Sequence, residues 1–294
     1  MQSDYLFFEG IVRERSPRPQ SREIPSGPKQ GFIQDIPAGK FLNSLFRITE
    51  MPVSAYRSRS LARRMPACLR FLRASDPQHA SLKISDNPQL AAAALNIVLV
   101  GVTDFFRDAP VFEYLRQEAL PLLLQQEGGL RIWSAACSEG QELYSIAMML
   151  SEIRRLHDCE LLGTDCRTEA INRARSGVFA REALEGMEGA RENYFTTSGT
   201  CAVIDPALQA KTRWEVADLL GGVEAGPWHL ILWRNMAIYL EPEAANAVWQ
   251  QLCDVLEPGG FIVGGRADHP PRWLPLRRVG PCTFQKDVLV DHRS

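Results

Sequence analysis

The run from Trp133 to Ser145 constrains this chain more than any other, because it sets a turn of small residues between an apolar strand and an amphipathic helix. Leu130-Arg131-Ile132-Trp133 reads as a buried strand, and Tyr144, Ala147, Met148 and Ser151 recur at helical spacing behind the turn. A strand, a tight turn and a helix form the place where open α/β sheets bind nucleotide-like ligands. Small residues let backbone approach a ligand closely, and Glu142 stands where a carboxylate accepts hydrogen bonds from hydroxyls such as a ribose diol. The three-glycine dinucleotide fingerprint is missing, and a strand, turn and helix of this kind also arises from packing alone.

Further carboxylates strengthen the ligand reading. The apolar run Leu161 to Thr164 ends on Asp165, where nucleotide-binding sheets place the acid that holds a ribose. Trp214 to Ala217 ends on Asp218, followed by Leu219. His229 to Trp233 ends on Arg234 and Asn235, ahead of Met236 to Leu240. Four apolar runs thus end in polar residues along one predicted sheet edge. Helix capping is the alternative role for the aspartates.

Taken together, Gly101-Val102-Thr103-Asp104-Phe105-Phe106-Arg107, Trp133 to Ser145, Gly163-Thr164-Asp165, Ala174-Arg175-Ser176-Gly177 and Arg234-Asn235-Met236-Ala237-Ile238-Tyr239 resemble the CheR-type methyltransferases over about residues 55 to 289. That family methylates glutamate side chains of chemotaxis receptors with S-adenosylmethionine. The resemblance implies an α/β fold: a doubly wound, mostly parallel sheet with an antiparallel last strand (the class I S-adenosylmethionine-dependent methyltransferase fold), a small β-subdomain and a reduced N-terminal helical domain. Motif by motif, it implies cofactor contacts at Thr103, Arg107, Ala135, Glu142, Asp165, Asp218, Leu219, Arg234 and Asn235. Arg107 and Tyr239 become candidates for placing the acceptor carboxylate. The rival assignment makes Arg107 a clamp on the cofactor carboxylate and Tyr239 a core aromatic.

Several positions depart from the family pattern. Gly101 stands where an Asn is usual, and Gly140-Gln141-Glu142-Leu143-Tyr144-Ser145 replaces Gly-Glu-Glu-Pro-Tyr-Ser. Asp218-Leu219 replaces Asn-Leu, and Gly265-Arg266-Ala267-Asp268 replaces Gly-His-Ser-Glu. These changes define an alternative reading, a catalytically impaired module that binds a receptor or senses the cofactor. A weaker third reading is methyl transfer to another carboxylate or a small molecule.

The formal net charge of -2 argues against a general nucleic-acid binder. Positive charge is local: Arg57, Arg59, Arg63, Arg64, Arg70 and Arg73 share one predicted helical stretch with Tyr56, Leu61, Leu69 and Leu72. Either this is a solvated helix face, or, as the family implies, it docks on the acidic cytoplasmic domain of a methyl-accepting receptor together with the β-subdomain. The seven cysteines include no C-x-x-C pair, Cys137 reads as a small buried thiol, and no metal is expected. With no secretory signal and no apolar run of membrane-spanning length, the expected location is cytoplasmic.

Residues 1–52, with Ser16-Pro17-Arg18-Pro19, Pro25-Ser26-Gly27-Pro28 and Pro37-Ala38-Gly39, read as a flexible extension. A reduced helical domain is expected over 53–100 and the methyltransferase domain over 101–294, with the β-subdomain inserted at about 177–212 as short strands and turns. A helix is expected from Pro242 to Leu256, a strand at Phe261 to Val263, and an antiparallel last strand at Thr283 to Leu289 after a Gly280-Pro281 hairpin.

Overall fold

The structure is a computed structural model that describes residues 38–99, 101, 103–125, 128–187 and 189–288. Four helices open it: α1 (Gly39–Ile48), α2 (Ser58–Leu72), α3 (Pro77–Ser85) and α4 (Pro88–Val98). Asp76 and Asn87 cap α3 and α4 by accepting the backbone N–H of His79 at 2.8 Å and of Leu90 at 2.9 Å, each with a proline in the first helical turn.

Helix α1 corrects the expectation that residues 1–52 are little structured. Phe41, Leu42, Leu45 and Phe46 are fully buried and follow the spacing of a helical stripe, so Gly39–Ile48 belongs to the packed helical part. The rest of that predicted extension, residues 1–37, lies outside the described residues, as does Leu289 of the predicted last strand.

Helix α5 then runs through Ala109–Tyr114, a π turn at Leu115–Ala119 and Leu120–Leu123. After it the chain alternates β1 (Leu130–Ala135), α6 (Gln141–Glu152), β2 (Cys159–Asp165) and α7 (Thr168–Ser176). Next come β3 (Val178–Ala180), β4 (Phe195–Ser198), β5 (Cys201–Ile204) and the one-turn α8 (Pro206–Gln209), which the reading of 177–212 as strands and turns did not include. The remaining elements are β6 (Thr212–Val216), β7 (Trp228–Leu232), α9 (Pro242–Val255), β8 (Leu256–Val263), β9 (Leu276–Gly280) and β10 (Thr283–Lys286).

Seven strands form one sheet in the order β6-β2-β1-β7-β8-β10-β9, while β3-β5-β4 form a separate antiparallel sheet. Strands β6, β2, β1, β7 and β8 pair in parallel, and β10 is antiparallel to both neighbours. This is the doubly wound fold with an antiparallel last strand that the sequence predicts. The edge strand β9 was not anticipated: Arg277 and Arg278 are exposed on it, which hides its strand character from an apolar pattern.

Both faces of the sheet are covered, as parallel sheets require. Leu130 and Ile132 of β1 face the core shared with α5, α6 and α7, while Trp133 and Ala135 face the core shared with α1 to α4 and α9. Trp133 is fully buried, and its indole N–H donates to Thr164 Oγ1 at 2.9 Å, so the side chain buries a large ring without an orphan donor.

Candidate active site

Chain order reverses between β1 and β7, and a cleft opens at the carboxyl ends of the strands there, where doubly wound sheets bind ligands. The turn after β1 has left-handed backbone at Ala136 (φ 59°), Ser138 (φ 53°) and Gly140 (φ 93°). Only Gly140 has no freedom to change, because a Cβ there would stand 2.7 Å from the Trp214 ring and 2.9 Å from Ala174 Cβ. The turn's amides are already engaged: Cys137 N donates to Thr164 O at 2.8 Å, Ser138 N to Asp165 Oδ2 at 2.9 Å and Gly140 N to Cys137 O at 3.1 Å. It is a rigid, close-approach turn with little left to cradle a phosphate.

Glu142, in the first turn of α6, accepts from Ser134 Oγ at 2.7 Å and from Arg234 Nη1 at 3.2 Å. Arg234 is almost fully buried at the end of β7 and also donates to Asp108 Oδ2 at 2.7 Å and to Arg107 O at 2.8 Å. The exposed Arg266 reaches the other oxygen of Asp108 at 2.7 Å. Two carboxylates thus hold one buried guanidinium, which is the pairing a buried charge needs. Departing from the family pattern at 266, the chain gains a second cation on Asp108.

Asp165 ends β2 with little exposure, and its Oδ1 accepts from Arg167 N at 3.0 Å and Arg167 Nε at 2.9 Å. Its Oδ2 accepts from Ser138 N and from Arg167 Nη2, the latter at 3.2 Å. Burial works against the charge of Arg167, and Asp165 more than offsets it, leaving the guanidinium holding its proton more tightly than usual. Asp218 is two residues past β6, where its Oδ1 accepts from Leu220 N at 3.0 Å and burial pushes its carboxyl up. That bond caps a turn and not a helix, the alternative role weighed for the aspartates, and the side chain lines the cleft as well.

The helical region closes the other wall. Tyr56 forms an isolated antiparallel bridge with Leu240, Arg57 N donates to Tyr239 O at 2.8 Å and Glu241 N donates to Ala55 O at 2.8 Å. These bonds bring Tyr56 and, from α2, Leu61 and Arg64 into the cleft wall. Desolvation pushes the Tyr56 phenol well above its ordinary range, so it stays a neutral donor.

Asn235 begins the segment that carries Tyr239, with left-handed backbone at φ 59°. Its N–H donates to Asp268 Oδ2 at 2.5 Å, and Gly265 N donates to the same oxygen at 2.9 Å. Asp268 is buried, its Oδ1 has no hydrogen-bond partner, and burial raises its pKa. Opposite, Phe106 N donates to Ser145 Oγ at 3.0 Å, and Phe105 meets Phe179 and Phe195 edge-to-face at 5.0 Å and 5.2 Å. Through those rings the Phe105–Arg107 loop is packed on the β3-β5-β4 sheet.

Of the residues predicted from sequence, Thr103, Arg107, Glu142, Asp165 and Asp218 line this one cleft, with Leu219, Arg234, Asn235 and Tyr239. Tyr239 is half-buried and not a core aromatic. Ala135 is the exception: its side chain belongs to the core beneath the turn, and the next residue, Ala136, faces the cleft instead. Sequence reading missed Tyr56, Ser138, Arg167 and the tether Asp268. Only Asp268 left a signal, as a departure from the Gly-His-Ser-Glu pattern.

The strand order and the acids at the ends of β2, β6 and in α6 define the class I methyltransferase fold. Carboxylates for hydroxyls and an ammonium, beside Leu219, Tyr56 and Leu61 for an apolar ring, fit S-adenosylmethionine in chemistry. A family model described as the CheR methyltransferase, SAM binding domain, matches residues 101–273, more than half the chain, and the chain belongs to that family. It is 32% identical over 174 residues to a chemotaxis protein methyltransferase of Listeria monocytogenes, covering 58% of this chain and 66% of that protein. It is 30% identical over 178 residues to chemotaxis protein methyltransferase 1 of Pseudomonas aeruginosa, covering 56% of this chain and 65% of that protein. With a chemotaxis protein methyltransferase of Klebsiella aerogenes it is 25% identical over 228 residues, 74% of this chain and 77% of that protein. The match spans just under two thirds of the first two relatives.

Proposed function

We propose that the chain transfers a methyl group to glutamate side chains of a chemotaxis-type receptor, forming glutamate methyl esters. The observation that carries this is the gathering of Arg107, Glu142, Asp165, Asp218 and Tyr239 in a single cleft of a chain belonging to the CheR family. S-adenosylmethionine supplies an activated methyl on its sulfonium. Glu142, Asp165 and Asp218, with Thr103, Leu219, Arg234 and Asn235, would hold it.

The acceptor needs no base. A free glutamate has a pKa of about 4.3 and is an anionic nucleophile at neutral pH. Catalysis then rests on orientation and exclusion of water, and orientation alone supplies on the order of 7 kcal/mol of a barrier. Arg107 would orient the acceptor carboxylate by charge-assisted hydrogen bonds, and the ring and hydroxyl of Tyr239, which line the same cleft, would favour the positive centre. Asp268, by fixing Asn235 and the loop behind it, sets where Tyr239 stands.

Arg57, Arg59, Arg63, Arg70 and Arg73 are exposed, which supports docking of this stretch on an acidic receptor surface, with the β3-β5-β4 sheet as a second contact. Arg64 is half-buried and turned to the cleft. A receptor's cytoplasmic domain as substrate would put the protein in the cytoplasm. Among the described residues, no helix is long and apolar enough to cross a membrane.

The test is transfer of tritiated methyl from S-adenosylmethionine to a purified receptor cytoplasmic domain, read as base-labile methyl ester. Label on glutamate that falls at least tenfold in Tyr239→Phe and Arg107→Ala supports the reading. Cofactor binding without any ester would favour the impaired module instead.

A further inference from the structure

Among the described residues, Arg167 is the buried cation lining the cleft that the proposed chemistry does not use. Its guanidinium forks onto Asp165, with Nε 2.9 Å from Oδ1 and Nη2 3.2 Å from Oδ2, and Nη2 also donates to Ser138 Oγ at 3.0 Å. Counting the amides of Ser138 and Arg167, each oxygen of Asp165 already accepts two hydrogen bonds. A carboxylate has about four lone-pair sites, so none is left for a ribose hydroxyl.

Gly101 lies beside this fork. A Cβ there would stand 3.7 Å from Arg167 Nη2 and 3.5 Å from Ser138 Oγ, at ordinary van der Waals contact with the pair.

We infer that Arg167 sets the cofactor affinity of this cleft by holding Asp165 against the ribose diol, which binds only by displacing the guanidinium from the carboxylate. The inference rests on the proposed S-adenosylmethionine site and goes beyond it. The exchange trades a charge-assisted pair for hydrogen bonds from neutral hydroxyls, so the native chain binds more weakly than its acids alone imply.

Arg167→Ser tests this cleanly. Residue 167 is the N-cap of α7, where serine is a favoured residue, and the backbone N–H to Asp165 remains. Calorimetric titration with S-adenosylhomocysteine and its 2′-deoxy analogue should show Arg167→Ser binding the first about tenfold tighter than the native chain. The penalty for the missing hydroxyl should also grow in Arg167→Ser, with Arg167→Lys intermediate in both, and a purely structural role would leave that ratio unmoved. Folded Arg167→Ser binding S-adenosylhomocysteine no better than the native chain, or an unchanged deoxy penalty, overturns the inference and leaves the cofactor site standing. If the native chain and every variant fail to bind, the cofactor site falls with it.

Discussion

Asp268 makes the connection between the Asn235–Tyr239 segment and the loop after β8 testable as a free energy. In Asp268→Ala the amides of Asn235 and Gly265 both lose their acceptor in a buried place. Each stranded donor costs about 1–3 kcal/mol, and relief of the buried carboxylate gives back part of it. The expected net loss is about 2–4 kcal/mol, which for a chain of this size lowers Tm by about 5–10 °C. Asp268→Asn keeps an oxygen for both amides and removes the charge, so most of that loss should be spared.

Burial raises the Asp268 pKa in the folded state, so the native fold binds its proton more tightly than the unfolded chain does. Its contribution is therefore full below the unfolded pKa of about 3.9 and is lost as pH rises through the folded value. Asp268→Asn should gain on the native chain over that rise. Urea unfolding from pH 4 to 8 measures both effects. The reasoning is refuted if Asp268→Ala is within about 0.5 kcal/mol of native at pH 7, or if Asp268→Asn is as damaging as Asp268→Ala.

Three further outcomes follow. Gly140→Ala places a Cβ at φ 93° against Trp214 and should cost about 2–5 kcal/mol by left-handed strain plus overpacking, read by denaturant unfolding; a neutral result would mean the turn can open. Phe105→Ala removes two edge-to-face ring contacts worth about 0.5–1.5 kcal/mol each, and should speed hydrogen exchange in β3 and β4 relative to β1; equal protection would contradict the tie between them. Arg63→Glu with Arg70→Glu should slow association with a receptor cytoplasmic domain at least tenfold at low salt, measured by stopped flow, and leave S-adenosylhomocysteine affinity unchanged.

The central strands β2, β1, β7 and β6 were legible because they are apolar runs that lead into small or polar residues, a pattern that survives without tertiary information. The cleft was legible where the polar residue follows its own strand, as with Asp165, Asp218 and Asn235. What escaped depends on distant pairing. Arg57 bonds to Leu240, 183 residues away, and that contact carries Tyr56 into the cleft. Arg167 reaches Ser138 only because β1 and β2 run side by side, with Ser134 opposite Gly163. Helix α1 was hidden behind Pro37 and Gly39, read as breakers, although its apolar stripe has helical spacing.

The most direct measurement of the central claim, that this cleft holds the cofactor with its ribose at Asp165, is calorimetric titration with S-adenosylhomocysteine. The comparison is between Arg167→Ser and the double variant Asp165→Ala/Arg167→Ser, which leaves no lone buried charge at the site. The account predicts saturable binding of one ligand per chain in Arg167→Ser and a loss of at least tenfold in the double variant with the fold retained. Equal affinity in the two variants would contradict it.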